Sequence, residues 1–160
     1  MNRSNFLRWC ALPIGLCLSL APLSARAGTD ACMLATSAQI GAAIHTAVGA
    51  GKHVTPTFVK TCTWLPTGNS GIRAVTVNLP TVPYDGSRRM AERMAAMSPH
   101  IKVEAASVGN EGYYLVEGEI VQLFFRKGNT SVKVVVYARM PADELEAMEL
   151  AIARQVATQL

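Results

Sequence analysis

Between Tyr113 and Ala138 apolar residues alternate along three short runs parted by tight turns, and no other feature restricts the fold as much. The runs are Tyr113 to Val116, Ile120 to Lys127 and Thr130 to Ala138. A period of two sends successive side chains to opposite faces of a strand. Val121, Leu123 and Phe125 therefore share one side of the middle run, and Val132, Val134 and Val136 one side of the last. Gly128-Asn129 is a two-residue signal for an antiparallel hairpin. Phe124, Val135 and Tyr137 put apolar groups on the opposite side as well, which implies that both faces of the sheet are partly covered.

Covering two faces takes helices, and the rest of the chain supplies them. Thr36-Ser37-Ala38-Gln39 fits a capping box. Ile40, Ile44, Ala47 and Val48 follow on one helical face, so a first helix is expected from Ser37 to Val48, stopped by Gly49. Val54 to Leu65 reads as extended chain, with Pro56 confining its start to an edge or loop. After a turn at Pro66 to Gly71, Ile72 to Leu79 reads as its hairpin partner. Tyr84 to Ser98 is a second helix ended by Pro99, and Ile101 to Ala105 a short strand. Pro141 opens the last helix, with Leu145, Met148, Ile152, Val156 and Leu160 as its apolar face. Asp143, Glu144 and Glu146 suit its positive end and Arg154 its negative end. The expected fold is α+β: a mostly antiparallel sheet of about five to six strands with three packed helices, in the order α-β-β-α-β-β-β-β-α.

The N-terminus carries the marks of an export signal. Arg3 and Arg8 precede an uncharged stretch from Cys10 to Leu20, and Ala25-Arg26-Ala27 is a small-x-small cleavage sequence. Residues 1–27 are read as a cleavable signal peptide and 28–160 as one domain, periplasmic or secreted. The apolar stretch falls short of the roughly 20 residues that span a bilayer, so no stable membrane insertion is expected after cleavage. Trp9 and Leu16 precede the two leader cysteines, where a lipid-acceptor cysteine wants a small residue. Of the 15 Lys+Arg, Arg3, Arg8 and Arg26 leave with the leader, so 12 face 11 acids and the mature net charge is +1. That balance gives no warrant for a nucleic-acid partner. Cys32 and Cys62 remain, and an even pair in an exported chain reads as a disulfide. Closing a loop of about 31 residues stabilises by roughly 3–4 kcal/mol in the loop-entropy model.

Searching for chemistry yields candidates and no catalytic motif. Gly-x-Ser-x-Gly, His-Glu-x-x-His, the P-loop and the dinucleotide fingerprint are all missing from the sequence. His45, His53 and His100 are well separated. Met90, Met94, Met97 and His100 have the spacing and the soft donors of a Cu(I) site. The same methionines, spaced by Ala91, Ala95 and Ala96, also suit a buried helix face, and that core reading is the stronger one. Asn110 and Glu111, leading into Tyr113 and Tyr114, offer a recognition surface; the competing reading is a turn followed by one core and one surface tyrosine. Arg88, Arg89 and Arg93 form a short basic patch on the second helix.

Several short segments carry a family likeness. They are Asp30-Ala31-Cys32-Met33-Leu34-Ala35-Thr36, Cys62-Thr63-Trp64, Val108-Gly109-Asn110-Glu111-Gly112-Tyr113-Tyr114, Phe125-Arg126-Lys127-Gly128-Asn129, and Leu150-Ala151 in the closing helix. Together they resemble a group of small secreted bacterial domains of unknown function, many of them actinobacterial cell-envelope lipoproteins, with a PsbP-like fold. The family has Asp and Ala where this chain has Asn110 and Gly112, and its lipid-acceptor cysteine is missing here. The resemblance implies a two-cysteine bridge and a non-catalytic role, and transfers no active site. The expectation is an exported, non-enzymatic binding or interaction module without a cofactor, of the kind an immunity or chaperone-like protein represents. Its partner is an envelope protein or small ligand. The alternative is a periplasmic copper handler or a hydrolase whose site assembles only in three dimensions.

Overall fold

The computed structural model describes residues 30–160; the expected signal peptide, residues 1–27, lies outside them. Among the described residues the strands are β1 (Lys52–His53), β2 (Thr61–Trp64), β3 (Ile72–Asn78), β4 (Ile101–Ala105), β5 (Glu111–Glu117), β6 (Ile120–Lys127) and β7 (Thr130–Ala138). They form one sheet in the order β1-β2-β3-β7-β6-β5-β4, and every neighbouring pair is antiparallel. The helices are α1 (Ser37–Ala43), α2 (Tyr84–Met97) and α3 (Ala142–Ala157), preceded by a 3-10 turn at Ala31–Met33. This is the α+β fold read from the sequence, with the strand count corrected from five or six to seven.

The extra strand comes from the stretch around Pro56. Only Thr61–Trp64 of the expected extended segment is a strand. Its partner lies on the other side of Pro56, where Lys52 faces Thr63 and His53 faces Cys62. A proline offers no N–H to a ladder, so residues 54–60 become the loop of a hairpin. The expected pairing of the next two strands holds, from Thr61 opposite Asn78 to Trp64 opposite Val75. The β6–β7 turn also forms as expected, with Lys127 opposite Thr130 and Gly128 at φ 56°. A positive φ at the first turn residue matches the twist of the flanking strands.

Helix α1 stops earlier than Gly49. His45 takes the left-handed conformation at φ 54°, and the Thr46 N–H donates to the Gly41 carbonyl at 3.1 Å. This bond from the second residue past the cap to the third from the helix end is a Schellman closure built on a histidine instead of a glycine. The start is as expected: Thr36 Oγ1 accepts from the Gln39 N–H, and Gln39 Oε1 accepts from the Thr36 N–H.

Two cores follow from the strand alternation. On one face Val121, Leu123, Phe125, Val132, Val134 and Val136 pack under α1 and α3 with Trp64, Val75, Val77, Leu145, Ile152 and Val156. Each such aliphatic or aromatic side chain contributes about 1.5–3 kcal/mol when fully buried. On the other face α2 lays Tyr84 and Ala91 on Tyr113 and Leu115, with Met94, Ile101, Val103 and Phe124 at the margin. The disulfide joins Cys32 to Cys62 with Cα atoms 4.9 Å apart, tying the 3-10 turn to β2.

Candidate functional site

The sequence-derived candidates scatter. Met90 is 59% and Met97 79% exposed, which corrects the expectation of a methionine-filled core. The residues of α2 that meet the sheet are Tyr84 and Ala91, seven apart, with Met94 only half-buried beside them. The line through Tyr84 and Ala91 leaves Met90 and Met97 on the flank of the helix. His100 is exposed in the turn before β4.

Tyr113 and Tyr114 are adjacent on β5 and point to opposite faces, and both are buried. Tyr113 stacks on Phe124 with ring centroids 5.0 Å apart and meets Tyr84 edge-on at 5.6 Å. The Tyr114 hydroxyl donates to the Glu146 carbonyl at 3.0 Å, and burial raises its pKa to about 12. Asn110 and Glu111 are exposed but engaged within the fold. The Asn110 N–H donates to the Arg126 carbonyl at 2.7 Å, and its Oδ1 accepts from the Gly128 N–H at 2.7 Å. Glu111 accepts from Arg126 Nη2 at 2.6 Å. Gly109 permits this clasp, because at φ 66° a Cβ there would run into the Arg126 carbonyl. The turn of the competing reading is there, fastened by the polar pair, but its one surface tyrosine is corrected: both rings are core and neither offers itself for recognition.

The histidines stay apart. His45 is exposed beyond α1. His53 Nε2 lies 2.8 Å from Asp30 Oδ1, which also accepts from the Cys32 N–H at 2.8 Å. That hydrogen bond to His53 is the main cause holding the Asp30 carboxyl below its usual pKa. Asp30, Cys32 and His53 have donor atoms within 4.8 Å of one another. The Cys32 sulfur is committed to the disulfide, so the group lacks a thiolate for a metal.

A cleft of about 470 Å³ opens where the chain between β3 and α2 faces the β6–β7 turn. Lys60, Thr81, Tyr84, Arg126 and Ser131 line it, with Asp85 as its one acid. Arg126 and Ser131 stand opposite each other across β6 and β7. Helix α2 begins at this cleft with Pro83 as its cap and no side chain bonded to its first turn. The free N–H groups of a first turn carry partial positive charge. The Arg126 guanidinium sits over the Tyr84 ring at 5.8 Å. Tyr84 is 3% exposed, and burial raises its pKa. Its hydroxyl and the Arg126 Nε are both buried without a protein partner. No histidine or cysteine lines the cleft. Its chemistry is that of cations, hydroxyls and backbone donors, suited to holding an anion.

Sequence reasoning missed one buried ionisable group. Glu149 of α3 is 0% exposed, and its Oε1 accepts from the Val136 N–H at 2.9 Å. The β6–β7 ladder ends at Leu123 opposite Val134, so Val121 and Val136, next in line, are not paired. Glu149 enters this opening and satisfies the donor that the ladder leaves free. Its Oε2 has no partner, and burial raises its pKa to about 9. The signal in the sequence was a glutamate four residues after Leu145 and three before Ile152, on the apolar stripe itself.

No protein-family model, curated protein or solved structure matches the chain.

Proposed function

We propose that the chain is an exported binding module whose ligand seat is the cleft at the start of α2, and that the ligand presents a carboxylate or phosphate group. The reading is carried by the make-up of the cleft, whose lining residues include Lys60, Arg126, Thr81 and Ser131 with a single acid, Asp85. Lys60 and the uncapped first turn of α2 add attraction for negative charge. The three-part leader supports export, and the Cys32–Cys62 bridge fits an oxidising compartment.

Titrating inorganic phosphate and acetate against the labelled protein, read by amide chemical shifts, tests the seat. Shifts are expected at Tyr84, Asp85, Gly86 and Ser131, and Lys60→Glu should weaken them about tenfold. Shifts spread evenly over the surface, or unaffected by Lys60→Glu, would remove the reading. Intact mass of protein from the cell envelope tests export, with a product beginning at Gly28 expected.

One observation favours a second reading, a copper handler. Met90, Met97 and His100 are open to solvent, as donors awaiting an ion must be. A Cu(I) competition titration decides it: affinity unchanged in a Met90→Leu, Met97→Leu double variant excludes the site.

A further inference from the structure

The sheet has two edges, and they differ. One is β1, two residues long; the other is β4, five residues long and paired on one side only. Beside β4, the Ala106 N–H donates to the Gly112 carbonyl at 3.0 Å. Antiparallel ladders alternate, so Lys102 and Glu104 turn their backbone groups towards β5, while Ile101, Val103 and Ala105 turn theirs outward. The Ile101 N–H is used locally, donating to the Ser98 carbonyl at 3.1 Å. Outward-facing groups left over are the Val103 N–H and carbonyl, the Ala105 N–H and carbonyl, and the Ile101 carbonyl.

We propose that β4 pairs antiparallel with β4 of a second copy about a two-fold axis at Val103, joining the two sheets into one. In this register the Val103 N–H of each copy meets the Val103 carbonyl of the other. The Ala105 N–H of each copy meets the other's Ile101 carbonyl. Four bonds form across the axis, and one group in each copy is left over: the Ala105 carbonyl, whose partner in this register, the Ile101 N–H, is already engaged by Ser98. Lys102 then stands opposite Glu104 of the second copy, and Glu104 opposite its Lys102, in the closer type of cross-strand pair.

Charge points to the same occupant. Edge strands are commonly guarded by charges that repel a neighbour. Here the guards are one cation and one acid, two apart and both exposed, which attract when the strand meets itself reversed. Within its own chain Glu104 lies near Glu146, whose pKa is raised first by burial and then by the Glu104 charge. No salt bridge joins Glu104 or Lys102 to another described residue. A second copy brings each the opposite charge. On the α2 side of the strand Ile101 and Val103 are half-buried, and the pairing covers them further.

Sedimentation velocity of the protein expressed from the full chain, over a range of concentrations, tests this. A dimer is expected. Lys102→Glu and Glu104→Lys each place like charges opposite one another twice and should raise the dissociation constant by about tenfold or more. The double swap, K102E with E104K, restores opposite charges and should return it to within about threefold of the parent. A monomer at every concentration overturns the proposal. So does a dimer that ignores the single changes, because its interface lies elsewhere, or a double swap as weak as the singles.

Discussion

The two faces of this sheet are sealed by different chemistry. Under α1 and α3 the core is mostly valine, leucine and isoleucine, continuous from Trp64 across to Val121, and interrupted by a single carboxyl, Glu149. Under α2 the core is small and aromatic, built on the Tyr84, Tyr113 and Phe124 rings. It contains the buried, unpartnered hydroxyls of Tyr84 and Tyr113. The first face is held by area removed from water, while the second relies on a few ring contacts and tolerates unsatisfied polar atoms at its margin. A helix that must grip strongly and a helix that borders a cleft make different demands on the same strands.

Substitutions on each face sharpen this contrast. Phe125→Ala, in the large core, should cost about 3–5 kcal/mol in urea unfolding. Glu149→Gln should move stability the other way. The folded carboxyl binds its proton up to about pH 9 while the unfolded one releases it near 4.5, so the parent loses stability as pH rises between those values. At 1.36 kcal/mol per unit, the variant should gain about 3 kcal/mol at pH 7, nothing at pH 4, and show a flatter pH profile. If its profile parallels the parent's, Glu149 is ionised in the fold and the contrast fails. On the small face, Tyr113→Phe removes a hydroxyl that has no partner and should change stability by less than about 1 kcal/mol, upward if at all. Met90→Ala should fall within about 0.5 kcal/mol, since its side chain is mostly in water already. A loss above 2 kcal/mol at Met90 would return it to the core.

The large face was legible and the small one was not, for a physical reason. Val121, Leu123, Phe125, Val132, Val134 and Val136 recur at every second position, with Gln122, Ser131 and Lys133 between or beside them, so their common side could be read directly. Tyr113 and Tyr114 are equally amphipathic neighbours, and period two cannot tell which is buried when both faces are covered. On α2 the spacing of Met90, Met94 and Met97 imitates a core stripe, while the real contact runs through Tyr84 and Ala91. Glu149 was hidden because a charged residue on an apolar stripe reads as an interruption unless a free backbone donor is known to await it. The cleft was invisible for a similar reason. Lys60, Tyr84, Arg126 and Ser131 come from separate segments and meet only through the β3–β7 and β6–β7 pairings.

The β3–β7 pairing also has a kinetic consequence. β4, β5, β6 and β7 follow one another along the chain, and each pairs with the next, so that quartet can assemble from short-range encounters. Asn78, by contrast, meets Lys133 only across the whole intervening helix and three strands. Loop closure of that kind slows folding. We expect pulsed hydrogen exchange to protect the Leu123 amide before the Thr76 amide; simultaneous protection would contradict this order. Until β3 arrives, the outer edge of β7 is a nine-residue open template. A newly made chain is then most exposed to mispairing along this seam, which in the finished molecule lies in the middle of the sheet.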